Sequence, residues 1–327
     1  MNTVLVTGAG GFVGSAVVRR LTQPRTTLWD GGQVDRVIAV IRPAGSRARL
    51  EELSADDRCT VEPVDVYDEQ AFRALLRRSR PLAVVNAALD GAVFSGQPIR
   101  HVPLESAFAE LGRAGGARVV HAGSAWVLAP GLSLDESAPV DPRSPYARHK
   151  FEEDELLPRL GAATGVGWID LRLFNVFGRY EKTSRLLPHI VARLSRGERA
   201  ALSHGDQVRD FNDVDDIAEA FALALRAPGS ACGALYHIGS ARATTVREFA
   251  SAVASVVATE DLIGFGVRDT ADGDVPALVA DCSLARRELG WEPAASLDDR
   301  IRAAVEWWLA RPAATDSLER RPQELPL

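Results

Sequence analysis

Cysteine is scarce: Cys59, Cys232 and Cys282 are odd in number, far apart and never in a C-x-x-C pair. A disulfide framework is excluded, and a reducing compartment fits. Lysine is scarcer still. Of 38 basic residues only Lys150 and Lys182 are lysines, and the rest are arginines. Charges interrupt every apolar run before it reaches the ~20 residues a membrane-spanning helix needs. Positive charge is not in excess either: the net charge of −6 gives a nucleic-acid-binding surface little electrostatic support. The opening MNTVLVTGAGG has no basic n-region or cleavage site, so no signal peptide is expected and the expected location is cytoplasmic. His101, His121, His149, His189, His204 and His237 are read as lacking acidic partners at one-turn spacing, and no metal site is expected.

What is present is an ordinary globular composition, 46% hydrophobic and 25% charged over 327 residues. That length holds two cores, or one large core with a smaller annexed lobe. Short β-branched runs alternate with amphipathic stretches, the pattern of βαβ units around a parallel sheet. Strands are predicted at Thr3–Thr7, Arg36–Ile41, Cys59–Pro63, Leu82–Ala87 and Arg118–Ala122. Helices are predicted over about 13–21, 69–78 and 104–114. The expected class is α/β: a Rossmann-like doubly wound parallel sheet with a smaller C-terminal α/β substrate lobe. The dinucleotide-binding part is assigned to 1–175, with 208–240 returning to it. The substrate lobe takes 176–207 and 241–310, and 311–327 is read as a flexible tail.

Gly8, Gly11 and Gly14 in TGAGGFVG directly follow the first strand and lead into a helix. The first permits a tight turn, the second lets backbone approach a pyrophosphate, and the third lets helix and strand pack closely. The glycine spacing alone is a weak signal; its place in a βαβ unit strengthens it. After the second strand come Arg42, Arg47 and Arg49, with no carboxylate before Glu51. An acidic residue there would bind ribose hydroxyls, whereas arginine accepts a 2′-phosphate, so NADP(H) is expected ahead of NAD(H).

Tyr146 and Lys150 stand four apart in SPYARHK, on one face of a predicted helix. A phenol of pKa about 10 works as an acid–base group near neutrality when a neighbouring cation favours its ionised form. In a chain that uses arginine almost everywhere, a lysine at this offset is unlikely to be there by chance. Ser124 follows the fifth strand, at the edge where open α/β sheets place their chemistry, and can hold a carbonyl oxygen.

The order of these motifs resembles the extended short-chain dehydrogenase/reductase superfamily, over about residues 3 to 308. Ser124, Tyr146 and Lys150 fall at its catalytic positions. TGAGGFVG, including Phe12 and Val13, is similar to its glycine fingerprint, and Asp65-Val66 to its adenine-contacting pair. Asn86-Ala87-Ala88 is similar to its segment lining the cofactor after the fourth strand. LRLFNVFG, with Phe174 and Asn175, resembles the join between lobes, and VRDFNDVDDIAEA the block in which Arg209 would grip a nucleotide diphosphate. LGWEP (Leu289 to Pro293) resembles its C-terminal signature. The resemblance implies a nucleotide-sugar or other small carbonyl substrate bound by Ser124, Asn175 and Arg209, and a homodimer formed through helices near 104–114 and 151–160.

Three departures stand out. The stretch 88–104 is short and lacks the family's helix asparagine, leaving Arg100 or His101 nearby. The usual Val-Tyr-Gly is Val127-Leu128-Ala129 beside Trp126, which predicts an altered pocket rim. Ala271 stands where a second phosphate-binding arginine is common. The leading expectation is an NADPH-dependent ketoreductase of a nucleotide-linked 4-keto-6-deoxysugar, with Tyr146 as general acid. An NAD-dependent epimerase, a reductase of a non-sugar ketone and a non-catalytic cofactor-binding protein stay open as alternatives.

Overall fold

The computed structural model describes residues 1–53, 55–269 and 274–311. The first half of the chain lays down β1 (Thr3–Thr7), α1 (Phe12–Leu21), β2 (Arg36–Ile41), β3 (Cys59–Pro63), α2 (Glu69–Ser79) and β4 (Ala83–Asn86). α3 (Leu104–Ala114), β5 (Arg118–Ser124), β6 (Gly131–Leu134) and α4 (Pro145–Thr164) follow. Next come β7 (Gly167–Leu173), β8 (Asn175–Phe177), α5 (Leu186–Leu194), β9 (Ala200–Ala201), β10 (Val208–Arg209), β11 (Phe211–Asp213) and α6 (Val214–Arg226). The chain ends on β12 (Ala234–Ile238), β13 (Thr244–Thr245), α7 (Val246–Val257), β14 (Ile263–Gly264), β15 (Ala277–Ala280), α8 (Ser283–Leu289) and α9 (Leu297–Leu309).

Seven parallel strands form the main sheet in the order β12-β7-β5-β4-β1-β2-β3. The chain winds outward from β1 to β3, returns to the middle at β4 and then winds the other way. That reversal opens a crevice beyond the C-terminal ends of β1 and β4, where doubly wound sheets bind ligands. The expected Rossmann-like α/β class is the fold observed.

Near-continuous apolar strands follow from burial on both faces. Val4 and Val6 of β1 point into a core shared with Val17 and Leu21 of α1 and Ile217 and Phe221 of α6. Leu5 points the other way, onto Phe72 of α2, Phe108 of α3 and Leu157 of α4. A third core, with Ile190, Phe211, Phe249, Ile301 and Trp308, fills the smaller lobe between α5, α7 and α9. In that lobe β13-β10-β15-β6 form a sheet, so β6 from the first half of the chain pairs there with β15.

Two local features fix the strand and helix that carry the chemistry. Arg118, the first residue of β5, is 2% exposed, and its Nη1 donates to the carbonyls of Ala224 (2.6 Å) and Ala227 (2.7 Å) at the end of α6. α4 starts sharply because Ser144 Oγ accepts from Ala147 N at 3.0 Å and Pro145 takes the first helical position. Among the described residues no helix is long and apolar enough to cross a membrane.

Candidate active site

Gly8 has φ +65, and a Cβ on it would lie 2.4 Å from the Ala87 carbonyl oxygen. A Cβ on Gly14 would lie 2.3 Å from the Gly8 carbonyl oxygen. Gly11 N donates to Gly8 O at 2.8 Å and begins α1 with no side chain capping its first turn. Phe12 and Val13, half-buried, occupy that turn. A glycine turn opening onto uncapped helix N–H groups is the geometry that receives a pyrophosphate, so these residues fit a dinucleotide. Ala87 and Ala88 back directly onto the turn. Asn86 is turned inward: its Oδ1 accepts from Thr7 Oγ1 at 2.7 Å, and its Nδ2 lies 3.1 Å from His121 Nδ1.

Past β2, Arg42 is exposed. The arginine that touches the phosphate loop is Arg49, whose Nη1 donates to Gly10 O at 3.2 Å and Nε to Tyr180 O at 2.9 Å. Burial lowers the Arg49 pKa. Asp65 is held by Arg100 (3.0 Å), which also pairs with Asp90 (3.0 Å) and covers the Tyr67 ring at 4.6 Å. Val66 is buried beside it. The contracted 88–104 stretch is therefore closed by Arg100, and it contributes Phe94, whose ring stacks on Tyr146 at 5.6 Å.

α4 packs on β5 and on the Gly91–Phe94 turn. Ser124 is buried at the end of β5, and its Oγ accepts from Trp126 N at 3.3 Å. The Arg209 guanidinium lies 5.6 Å from the Trp126 ring centroid and is ion-paired with Asp274. That pairing gives Arg209 a structural partner inside the smaller lobe. Asn175, half-buried, opens β8 in register with Phe211, and Phe174 is buried edge-on to His237 at 5.4 Å. Val127 and Leu128, expected at the pocket rim, are buried in the larger core; Trp126 and Ala129 are the half-exposed members of that run. Ala271 lies outside the described residues.

Lys150 Nζ donates to Glu153 Oε2 at 2.8 Å, and both side chains are buried. Burial alone would lower the Lys150 pKa, but Glu153, Tyr146 and Asp154 outweigh it and hold it above the ordinary lysine value. Beneath lies a polar cluster that sequence reasoning missed. Asp154 accepts from Arg172 Nη2 at 3.1 Å, and Asp170 sits in space left by Gly123, where a Cβ would come within 2.6 Å of its Oδ1. Burial, then Asp154, raises the Asp170 pKa well above the carboxylate range. Burial, then Lys150, pushes His121 down to about 3. The expectation that histidines lack acidic neighbours is wrong for His149, which precedes Glu152 and Glu153 by three and four residues. It is wrong for His101 as well, which precedes Glu105 by four residues. The signal that was available is polarity at β5 and β7 positions where neighbouring residues are apolar.

The sequence signature of the NAD dependent epimerase/dehydratase family matches residues 4–239. The chain belongs to that family. A dTDP-glucose 4,6-dehydratase of Neisseria meningitidis is 28% identical, with 94% of each chain covered. A UDP-glucose 4-epimerase of Azospirillum brasilense is 27% identical over 93% of this chain and 91% of that one. Among solved structures, a dTDP-glucose 4,6-dehydratase from Streptomyces venezuelae with NAD bound superposes with a TM-score of 0.85 at 26% identity, covering 97% and 100% of the two chains. This family member is thus an enzyme of the short-chain dehydrogenase/reductase type, and NAD(H) is the cofactor its relatives support.

Proposed function

We propose that this family member is a nucleotide-sugar epimerase that inverts a sugar carbinol centre and keeps its NAD through each turnover. The reading rests on the residues after Ser124. Relatives named for epimerisation and for 4,6-dehydration are about equally similar to this chain. Eliminating water requires further acid–base groups beside the reacting carbons. The dehydratase-type Thr-Asp-Glu run is here Ser124-Ala125-Trp126, with no carboxyl group. What is left at this edge supports removal and return of hydride at one carbon.

A bound nicotinamide supplies reversible hydride transfer. Tyr146 takes the hydroxyl proton as hydride leaves and returns it afterwards, and Ser124 Oγ holds the same sugar oxygen. Lys150 keeps a positive charge beside Tyr146 and binds the nicotinamide ribose. Asn175 and Arg209 position the sugar nucleotide, Arg209 by sharing its guanidinium between Asp274 and a phosphate.

The reductase expectation keeps one observation in its favour: the end of β2 presents exposed Arg42 and no acidic residue, which suits NADPH. Purified protein separates the two readings. The bound dinucleotide is released and identified, and UDP-glucose and dTDP-glucose are incubated with the enzyme and followed by NMR. Stoichiometric NAD⁺ with a 4-epimer product is the expected result. An empty site that prefers NADPH and consumes a 4-keto-6-deoxysugar would hand the assignment to the reductase. Homodimerisation through α3 and α4 belongs to the proposal, with mass by light scattering as its measurement.

A further inference from the structure

Three nitrogens from two elements converge on one carboxylate oxygen directly under the reaction centre. Glu153 Oε2 lies 2.8 Å from Lys150 Nζ, 3.6 Å from His121 Nε2 on β5 and 3.6 Å from His149 Nε2 on α4. Glu153 is 1% exposed, Lys150 4%, His121 0% and His149 2%. We propose that Glu153 is the positioning residue for Lys150: a buried carboxylate that clamps the ammonium from below and keeps it charged, with His121 and His149 packed around the same carboxylate oxygen. The proposal rests on the reading in which Lys150 is the catalytic cation.

The physical need is plain. An ammonium sealed from water sheds its proton unless an opposite charge stands beside it. Glu153 sits three residues on, on the same helical face, and so meets the lysine without disturbing the tyrosine one turn earlier. Other groups face the pair from each element packed on it. On α4 these are Tyr146 and Asp154, and from β7 Asp170 and Arg172; Tyr67, beyond β3, faces Glu153. Arg172 is already matched by Asp154, and His121 is held neutral by burial. Glu153 is therefore the carboxylate bonded to the lysine. The three-donor ammonium can still reach upward to a ribose hydroxyl while one hydrogen stays on Glu153.

With two lysines in the chain, nitrogen-15-labelled lysine gives two side-chain signals, and Lys182→Arg assigns them. Lys150 Nζ is titrated by NMR from about pH 6 to about pH 11, around the ordinary lysine value. In the wild type it is expected to remain charged beyond that value. In Glu153→Gln its midpoint is expected to fall by about one to three pH units. Dinucleotide affinity, read by fluorescence, is expected to fall in the variant only as pH passes that lowered midpoint. A merely structural carboxylate would weaken affinity equally at every pH. An unmoved midpoint in Glu153→Gln overturns the clamp. So does a wild-type Lys150 that titrates below the ordinary lysine value, a measurement that decides even if the variant does not fold. Neither signal requires turnover, so a failed epimerase assignment would show in the sugar products alone.

Discussion

At the scale of single residues, two substitutions separate binding from chemistry. Tyr146→Phe keeps the ring stacked against Phe94 and removes the oxygen that moves the proton. Turnover is expected to fall by about 10²–10⁴-fold while dinucleotide affinity, measured by fluorescence titration, stays within a few-fold. Gly14→Ala does the opposite: its Cβ would sit 2.3 Å from the Gly8 carbonyl oxygen, so the turn must open. Dinucleotide binding is expected to be lost first, and calorimetry with and without NAD checks it. Both residues were legible because their roles are local, one set by helical spacing and the other by a turn. Glu153 was not. Its spacing from Lys150 is local, but its burial, which gives the pairing its force, comes from packing of α4 on β5. Arg49 was read only as one of three arginines suited to a 2′-phosphate for the same reason, since its carbonyl partners lie on Gly10 and Tyr180.

At the scale of elements, α4 carries Tyr146, Lys150 and Glu153, and its first turn is set by one hydroxyl. Ser144→Ala removes the acceptor for Ala147 N and is expected to cost about 1 kcal/mol, read from denaturant unfolding. Because Tyr146 lies in that first turn, turnover should fall in the same variant although residue 144 does no chemistry. The five N-terminal strands were legible to within a residue or two, since short β-branched runs between turns leave little choice. The contracted 88–104 stretch was not legible. Its short helical turn at Gly91–Phe94 and the Arg100 pairings to Asp65 and Asp90 are tertiary choices without periodicity.

At the scale of the whole molecule, stability should carry a pH signature written at the junction of the lobes. Burial pushes Glu181 up to about 8 and Asp213 up to about 7. Both carboxyls hold their proton more tightly folded than unfolded. Their contribution is full below the ordinary carboxyl values and is lost progressively as pH rises from there through about 7 and about 8. The melting temperature is expected to decline between about pH 6.5 and 8.5, and Glu181→Gln should recover about 2–4 °C at the upper end. His121 and His237, pushed down to about 3 and about 4, act in the other direction. Their contribution is lost as pH falls below the ordinary histidine value. Finally, β5 behaves as a ruler laid across the sheet. Arg118 is bolted to the end of α6, and Ser124 lies six residues on, about 20 Å away at strand rise. A slip of one residue at the bolted end would turn every side chain of the strand to the opposite face, Ser124 included. Where the serine points is thus decided at the opposite end of its strand, by the backbone carbonyls of Ala224, Leu225 and Ala227.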